Sequence, residues 1–158
     1  WSFAPHDIAL FQYLTGSMPV RITSRGIDAL QEGIHDTTIT AFQYQDGVMG
    51  HIFVSWLHPF KEHRFVVVGS EGMVRFEDSI DGKPLVFYDK RVDWAEGKPI
   101  HLSGSTRHIE FEPILALTKE LEYFINHLNG DPIEIANGDS AVQVIQTLEQ
   151  ATVSLMEQ

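Results

Sequence analysis

His6 and Asp7, directly after Pro5, are the first residues in the chain whose types could do proton chemistry. A histidine can take up and return a proton near neutral pH because its ordinary pKa lies there. Asp7 stands beside it as a candidate substrate ligand. A second set, Lys61, His63 and Arg64, is a short cationic cluster in an acidic chain. A phosphate or carboxylate needs such donors, and arginine can hold one bidentately. The other histidines do not suggest a metal: none sits at i, i+4 on a predicted helix, and no His/Asp/Glu set has ligand spacing. The chain has no cysteine, so disulfides and thiolate metal sites are excluded. It also lacks a P-loop, a G-x-S-x-G elbow and an H-E-x-x-H. No strand is followed by G-x-G-x-x-G, so a dinucleotide cofactor is not expected to bind this chain by itself.

Short elements must hold these groups. Ile8, Phe11 and the pair Leu14/Thr15 repeat at helical spacing, and Gly16 followed by Pro19 stops the helix. This puts His6 at the first helical turn. Val20–Leu30 reads as a strand. Thr37–His58 reads as a hairpin about a two-residue Asp46-Gly47 turn. That turn sets Gln45 opposite Val48 and Thr37 opposite Trp56. Ile39, Ala41, Ile52, Val54 and Trp56 then share one face, and Phe42, Tyr44, Met49, His51 and Phe53 the other. Trp56 is accordingly expected in the core. Both faces are apolar, so helices should cover one and a partner surface the other.

Phe65–Val68, Met73–Phe76 and Leu85–Tyr88 read as consecutive antiparallel strands. Asp89–Arg107 reads as a loop with at most one short strand. Pro113 is placed to open a helix whose stripe is Ile114, Leu117, Leu121, Phe124, Ile125 and Leu128. Asp139 is expected to cap the last helix, with Ala141, Val144, Ile145, Leu148 and Leu155 turned inward. The fold class is therefore α+β: a mostly antiparallel or mixed open sheet, helices on one face, the other free for an oligomer or domain contact.

The chain has 158 residues, enough for a single domain, 1–158, that buries about 70% of its unfolded surface. A net charge of −11 argues against nucleic acid or an anionic membrane as partner. No apolar run reaches the roughly 20 residues of a membrane helix. The first residue is Trp, and the chain is expected to be a piece of a longer protein.

Pro-His-Asp before a short amphipathic helix resembles the start of the C-terminal domain in the Gfo/Idh/MocA oxidoreductases, sugar and cyclitol dehydrogenases that use a nicotinamide cofactor. The resemblance implies that His6 sits at the sugar carbon being oxidised. The family's aspartate four residues earlier is replaced here by Ser2. The stretch SWLHPFKEHRFVVVGSEGMVRFED, Ser55–Asp78, is similar to the matching segment in members that oxidise the sugar 3-hydroxyl of UDP-linked N-acetyl sugars or uronates. The closing pattern is also similar: Glu112-Pro113, the Leu117/Leu121/Phe124 helix, Gly130-Asp131-Pro132 and the last helix.

The resemblance implies a missing Rossmann half that binds NAD or NADP and carries a lysine sharing proton transfer with His6. Hydride would pass from the same carbon to the nicotinamide. It also implies Ser2, Asp7, Lys61, His63 and Arg64 as substrate contacts, a sugar or nucleotide-sugar substrate, a homo-oligomer formed through the open sheet face, and a cytoplasmic location. The alternatives are a non-catalytic sugar-binding module, with Ser2 marking lost chemistry, and a dimerisation module resting on Phe42, Tyr44 and Phe53.

Overall fold

The computed structural model describes residues 3–112 and 114–157. The chain clusters into two compact units, Trp1–His58 with Tyr123–Gln158, and Pro59–Glu122.

In the first unit, α1 (Ala4–Thr15) is followed by β1 (Arg21–Ile27), β2 (Thr37–Gln43) and β3 (Met49–Ser55). The last helix of the chain, labelled α3 below (Gly138–Met156), completes this unit. Gly16 ends α1 in the left-handed region at φ 62°, and its N–H returns to the Gln12 carbonyl at 2.8 Å. The strands form an antiparallel sheet in the order β1-β2-β3. The two helices contribute Ala4 and Ile8, and Val144 and Leu148, to a core shared with Phe42, Tyr44 and Ile52. Phe11 meets Phe42 edge to face at 5.6 Å, and its ring takes the space a side chain at Gly50 would need. Buried Ser24 and Thr40 satisfy one another through their hydroxyls at 2.9 Å, as two polar groups inside an apolar layer must.

The β2–β3 register differs from the expected one by a single residue. Thr37 lies opposite Ser55, not Trp56. The turn is the reason. Tyr44 N–H donates to the Val48 carbonyl at 2.9 Å and Gly47 N–H to the Tyr44 carbonyl at 3.1 Å, so the loop is Gln45-Asp46-Gly47, three residues long. Gly47 takes φ 85°, the left-handed position of a three-residue hairpin loop. A one-residue slip moves each side chain of one strand to the opposite face relative to the other. Phe42 and Tyr44 therefore share the helix-covered face with Ile52 and Val54, while Phe53 shares the outer face with Ile39 and Met49. The aromatic face Phe42/Tyr44/Phe53 does not exist as one surface. Trp56 falls beyond the ladder and is 65% exposed, which corrects its expected place in the core.

The second unit is a meander of β4 (Arg64–Val68), β5 (Met73–Glu77), β6 (Leu85–Ala95) and β7 (Lys98–Ile109), in that order across the sheet. Asp89–Arg107 is thus most of a long hairpin and not a loop. Glu96 and Gly97, at φ 51° and 73°, supply the two positive φ values of a tight reversal. A register shift falls between Tyr88 and Lys90, where the Asp89 carboxylate occupies the space above Gly104.

Helix α2 (Ala116–Asn126) buries none of its residues: Leu117, Leu121, Phe124 and Ile125 are all exposed. Pro113 lies outside the described residues. The cap of α3 is Asn137, whose side chain accepts from Ser140 N–H at 2.8 Å, with Asp139 in the first turn instead. On α3, Val144, Thr147, Leu148, Ala151 and Leu155 are buried, while Ala141 and Ile145 are exposed. The architecture is α+β with open antiparallel sheets, as the sequence implies, but in two sheets and not one.

Candidate functional site

α1 positions His6. Phe3 is the N-cap and makes no side-chain cap bond, so His6 is the third residue of the helix. Ala4 and Ile8, on either side of it in sequence, are both buried in the core, while the imidazole itself is exposed. An exposed ring on a helix anchored by its neighbours is held in direction yet open to a ligand. Asp7 is half-buried in the same turn. Ser2 lies outside the described residues. Phe3 packs against Trp56 with ring centroids 4.7 Å apart and planes tilted by 41°, and Trp56 N–H donates to the Asp36 carbonyl at 2.9 Å. The start of α1, the end of β3 and the chain before β2 therefore meet at one corner of the first unit.

Lys61, His63 and Arg64 belong to the second unit and are all exposed. Lys61 and His63 precede β4, and Arg64 is its first residue. The backbone fixes this approach: His63 N–H donates to Ser79 Oγ at 3.1 Å, and Asp78 N–H to the His63 carbonyl at 2.8 Å. Acids stand among the bases. The Arg64 guanidinium pairs with Glu62. Asp78 receives Lys83 Nζ at 2.6 Å and lies 3.7 Å from His63 Nδ1. The structure thus turns the expected cationic cluster into a mixed-charge array. An anion docking on it must compete with Glu62 and Asp78 for the same donors.

The hydrogen bond from Lys83, helped by His63, holds the Asp78 carboxyl below its ordinary value of 3.8. A carboxyl with a lowered folded pKa stabilises the fold above its unfolded value, and that contribution disappears as pH falls through the lower folded value. Asp78→Asn should therefore flatten the acid limb of a stability profile below about pH 4, by no more than about 1 kcal/mol because the pair is solvent-screened. Thermal melts of parent and variant from neutral to acid pH test this; parallel curves would remove Asp78 from the acid response.

A nicotinamide dinucleotide does not fit the residues present. Its pyrophosphate needs a glycine turn between a strand and a helix N-terminus. Among the described residues none of the six glycines at positive φ (Gly16, Gly33, Gly47, Gly82, Gly97 and Gly130) lies between a strand and a following helix. Among the described residues no group of three or more His, Asp or Glu could hold a metal ion, and no helix is long and apolar enough to cross a membrane.

Comparison with known proteins gives a consistent likeness. Residues 1–75 match the family model of the GFO/IDH/MocA C-terminal domain. A search of the curated proteins finds no significant match. Among solved structures, UDP-N-acetylglucosamine 3-dehydrogenase GnnA from Acidithiobacillus ferrooxidans superposes with a TM-score of 0.80 at 17% identity, over 98% of this chain and 46% of that one. The WlbA dehydrogenase from Bordetella pertussis, in complex with NADH and UDP-GlcNAcA, gives 0.68 at 19% identity, over 98% and 43%. A levoglucosan dehydrogenase in complex with NADH and levoglucosan gives 0.72 at 16%, over 98% and 47%. This chain spans less than half the length of each of these three proteins.

Proposed function

This chain carries the C-terminal domain of the Gfo/Idh/MocA oxidoreductases, and from that premise we propose that residues 1–158 form the substrate-binding and oligomerisation domain of a cytoplasmic, NAD(P)-dependent sugar or nucleotide-sugar dehydrogenase. The observation that carries the reading is His6: an exposed imidazole in the first turn of a core-anchored helix, in a chain whose fold is that of sugar dehydrogenases over nearly its whole length. In this reading His6 takes the proton of the sugar hydroxyl, for which it must come within about 3 Å of that oxygen. Asp7 and Ser2 orient the sugar. Lys61, His63 and Arg64, in the second unit, are taken by themselves as donors suited to a phosphate or carboxylate. NAD or NADP is the oxidant and belongs to a Rossmann half outside this chain. The test is sugar-dependent reduction of NAD or NADP by the full-length protein, with UDP-N-acetylglucosamine among the sugars offered. Sugar binding without reduction would leave a non-catalytic binding module.

The oligomer contact belongs to the outer face of the first sheet. Ile39 and Phe53 face one another there and Met49 is exposed on the same side, Phe53 by 55%, and large apolar side chains grouped on one sheet face favour an interaction surface. Phe53→Glu should shift the full-length protein to a smaller species in sedimentation. An unchanged oligomer would show that the contact lies elsewhere.

A further inference from the structure

The chain has three asparagines, Asn126, Asn129 and Asn137, and the last two each precede a glycine. Such a pair can rearrange without an enzyme. The glycine nitrogen attacks the asparagine Cγ and a cyclic imide closes. The side-chain nitrogen leaves as ammonia, carrying the proton that the glycine N–H gives up. Water then opens either carbonyl of the ring and leaves aspartate or its isomer linked through the side chain. A glycine nitrogen is open to this step because no side chain shields it. Nothing lies within 4 Å of where a Cβ would stand at Gly130 or at Gly138, so crowding does not separate the two pairs.

Hydrogen bonding does. Asn137 is the N-cap of α3. Its Oδ1 accepts from Ser140 N–H at 2.8 Å, and its Nδ2 donates to the Ile133 carbonyl at 3.2 Å. Ring closure there must break both bonds and uncap the helix that carries Val144 and Leu148 into the core. Asn129 lies in the exposed turn after α2, and its side chain has no hydrogen-bond partner among the described residues. The backbone of that turn is loosely tied. His127 N–H to the Phe124 carbonyl, Leu128 N–H to that of Ile125 and Gly130 N–H to that of His127 are each 3.2 Å, the long end of the usual range. Gly130 therefore gives up one long bond to attack, and Asn129 gives up none.

We propose that Asn129 is a site of spontaneous deamidation and that the cap of α3 protects the same dipeptide at Asn137-Gly138. Each conversion adds a negative charge to a chain already at −11. The isomer also adds a carbon to the main chain between α2 and Glu134 and Ile135, whose N–H groups donate to the Tyr123 hydroxyl. The site is separate from the proton chemistry assigned to His6 and does not depend on the dehydrogenase reading.

The test is ageing of the full-length protein at mildly alkaline pH, folded and in urea, followed by peptide mapping with mass spectrometry. The readout is the mass gain of exchanging NH for O, at each asparagine separately. In urea the two pairs should convert at comparable rates. In the folded protein Asn129 should keep its rate within about threefold, while Asn137 should slow by at least about tenfold, the order of what a side-chain cap contributes. Asn137 converting as fast as Asn129 in the folded protein would overturn the protection. Asn129 slowed by folding as much as Asn137 would overturn the site.

Discussion

Under the proposed function, His6→Ala should lower the turnover of the full-length protein by about 10²- to 10⁴-fold, the usual range for losing a positioned acid–base group. That equals about 3–5 kcal/mol of transition-state stabilisation. Two features of the structure make the experiment clean. The imidazole is exposed, so its removal should change stability by no more than roughly 0.5 kcal/mol. No G-x-G-x-x-G occurs in the sequence, so nicotinamide affinity should stay within about twofold if the two sites are independent. The expected signature is thus a fall in kcat with cofactor binding and melting temperature retained. His6→Gln should fall nearly as far, because an amide can donate to the substrate but cannot take its proton at neutral pH. Parental turnover in either variant removes His6 from the chemistry. A parallel loss of cofactor binding would mean that the first turn of α1 shapes the join to the rest of the protein.

Much of this was legible in the residues, and the exceptions have specific causes. The helix that carries His6 shows its Gly16 stop and its buried Ile8, because both signals are local, but of its expected stripe Leu14 is 54% exposed. The β2–β3 hairpin shows its turn residues too, but Asp-Gly closes both two-residue and three-residue loops. Only the Tyr44–Val48 hydrogen bond distinguishes them. Trp56 shares the parity of Ile52 and Val54 in either register and is exposed because β3 ends at Ser55. The long hairpin β6–β7 hid because its reversal is Glu96-Gly97, where a non-glycine residue accepts positive φ, and because both of its faces mix charge with apolar side chains. The stripe on α2 is visible as a pattern, but a 3.6-residue period records that a face is apolar, not what lies against it. The acids around Lys61, His63 and Arg64 could have been found: Glu62 lies within the cluster, and Asp78 is brought in by the β4–β5 pairing of Arg64 with Glu77.

The register can be tested by a pair of phenylalanines. Phe42→Ala should destabilise the protein by about 3–5 kcal/mol, the range for removing a buried ring from a packed core. Phe42 is 2% exposed, lies in the cluster with Ile8 and Leu148, and meets Phe11 edge to face. In a chain of this size that loss is worth on the order of 10 °C in melting temperature. Phe53→Ala should cost less than about 1 kcal/mol when measured at high dilution, since the side chain is mostly exposed and its ring contact is one edge-on approach to His58 at 6.2 Å. Under the two-residue turn the rings would share one face, and the two variants would behave alike. With the three-residue loop they sit on opposite faces, one beneath the helices and one in water. At high concentration the two should separate further. A loss at Phe53 that grows with protein concentration is the mark of an interface, because the melting temperature of an associating protein depends on mass action. A concentration-independent loss at Phe42 is the mark of a core. Equal losses at both sites would break the register, and with it the assignment of the outer face to a partner.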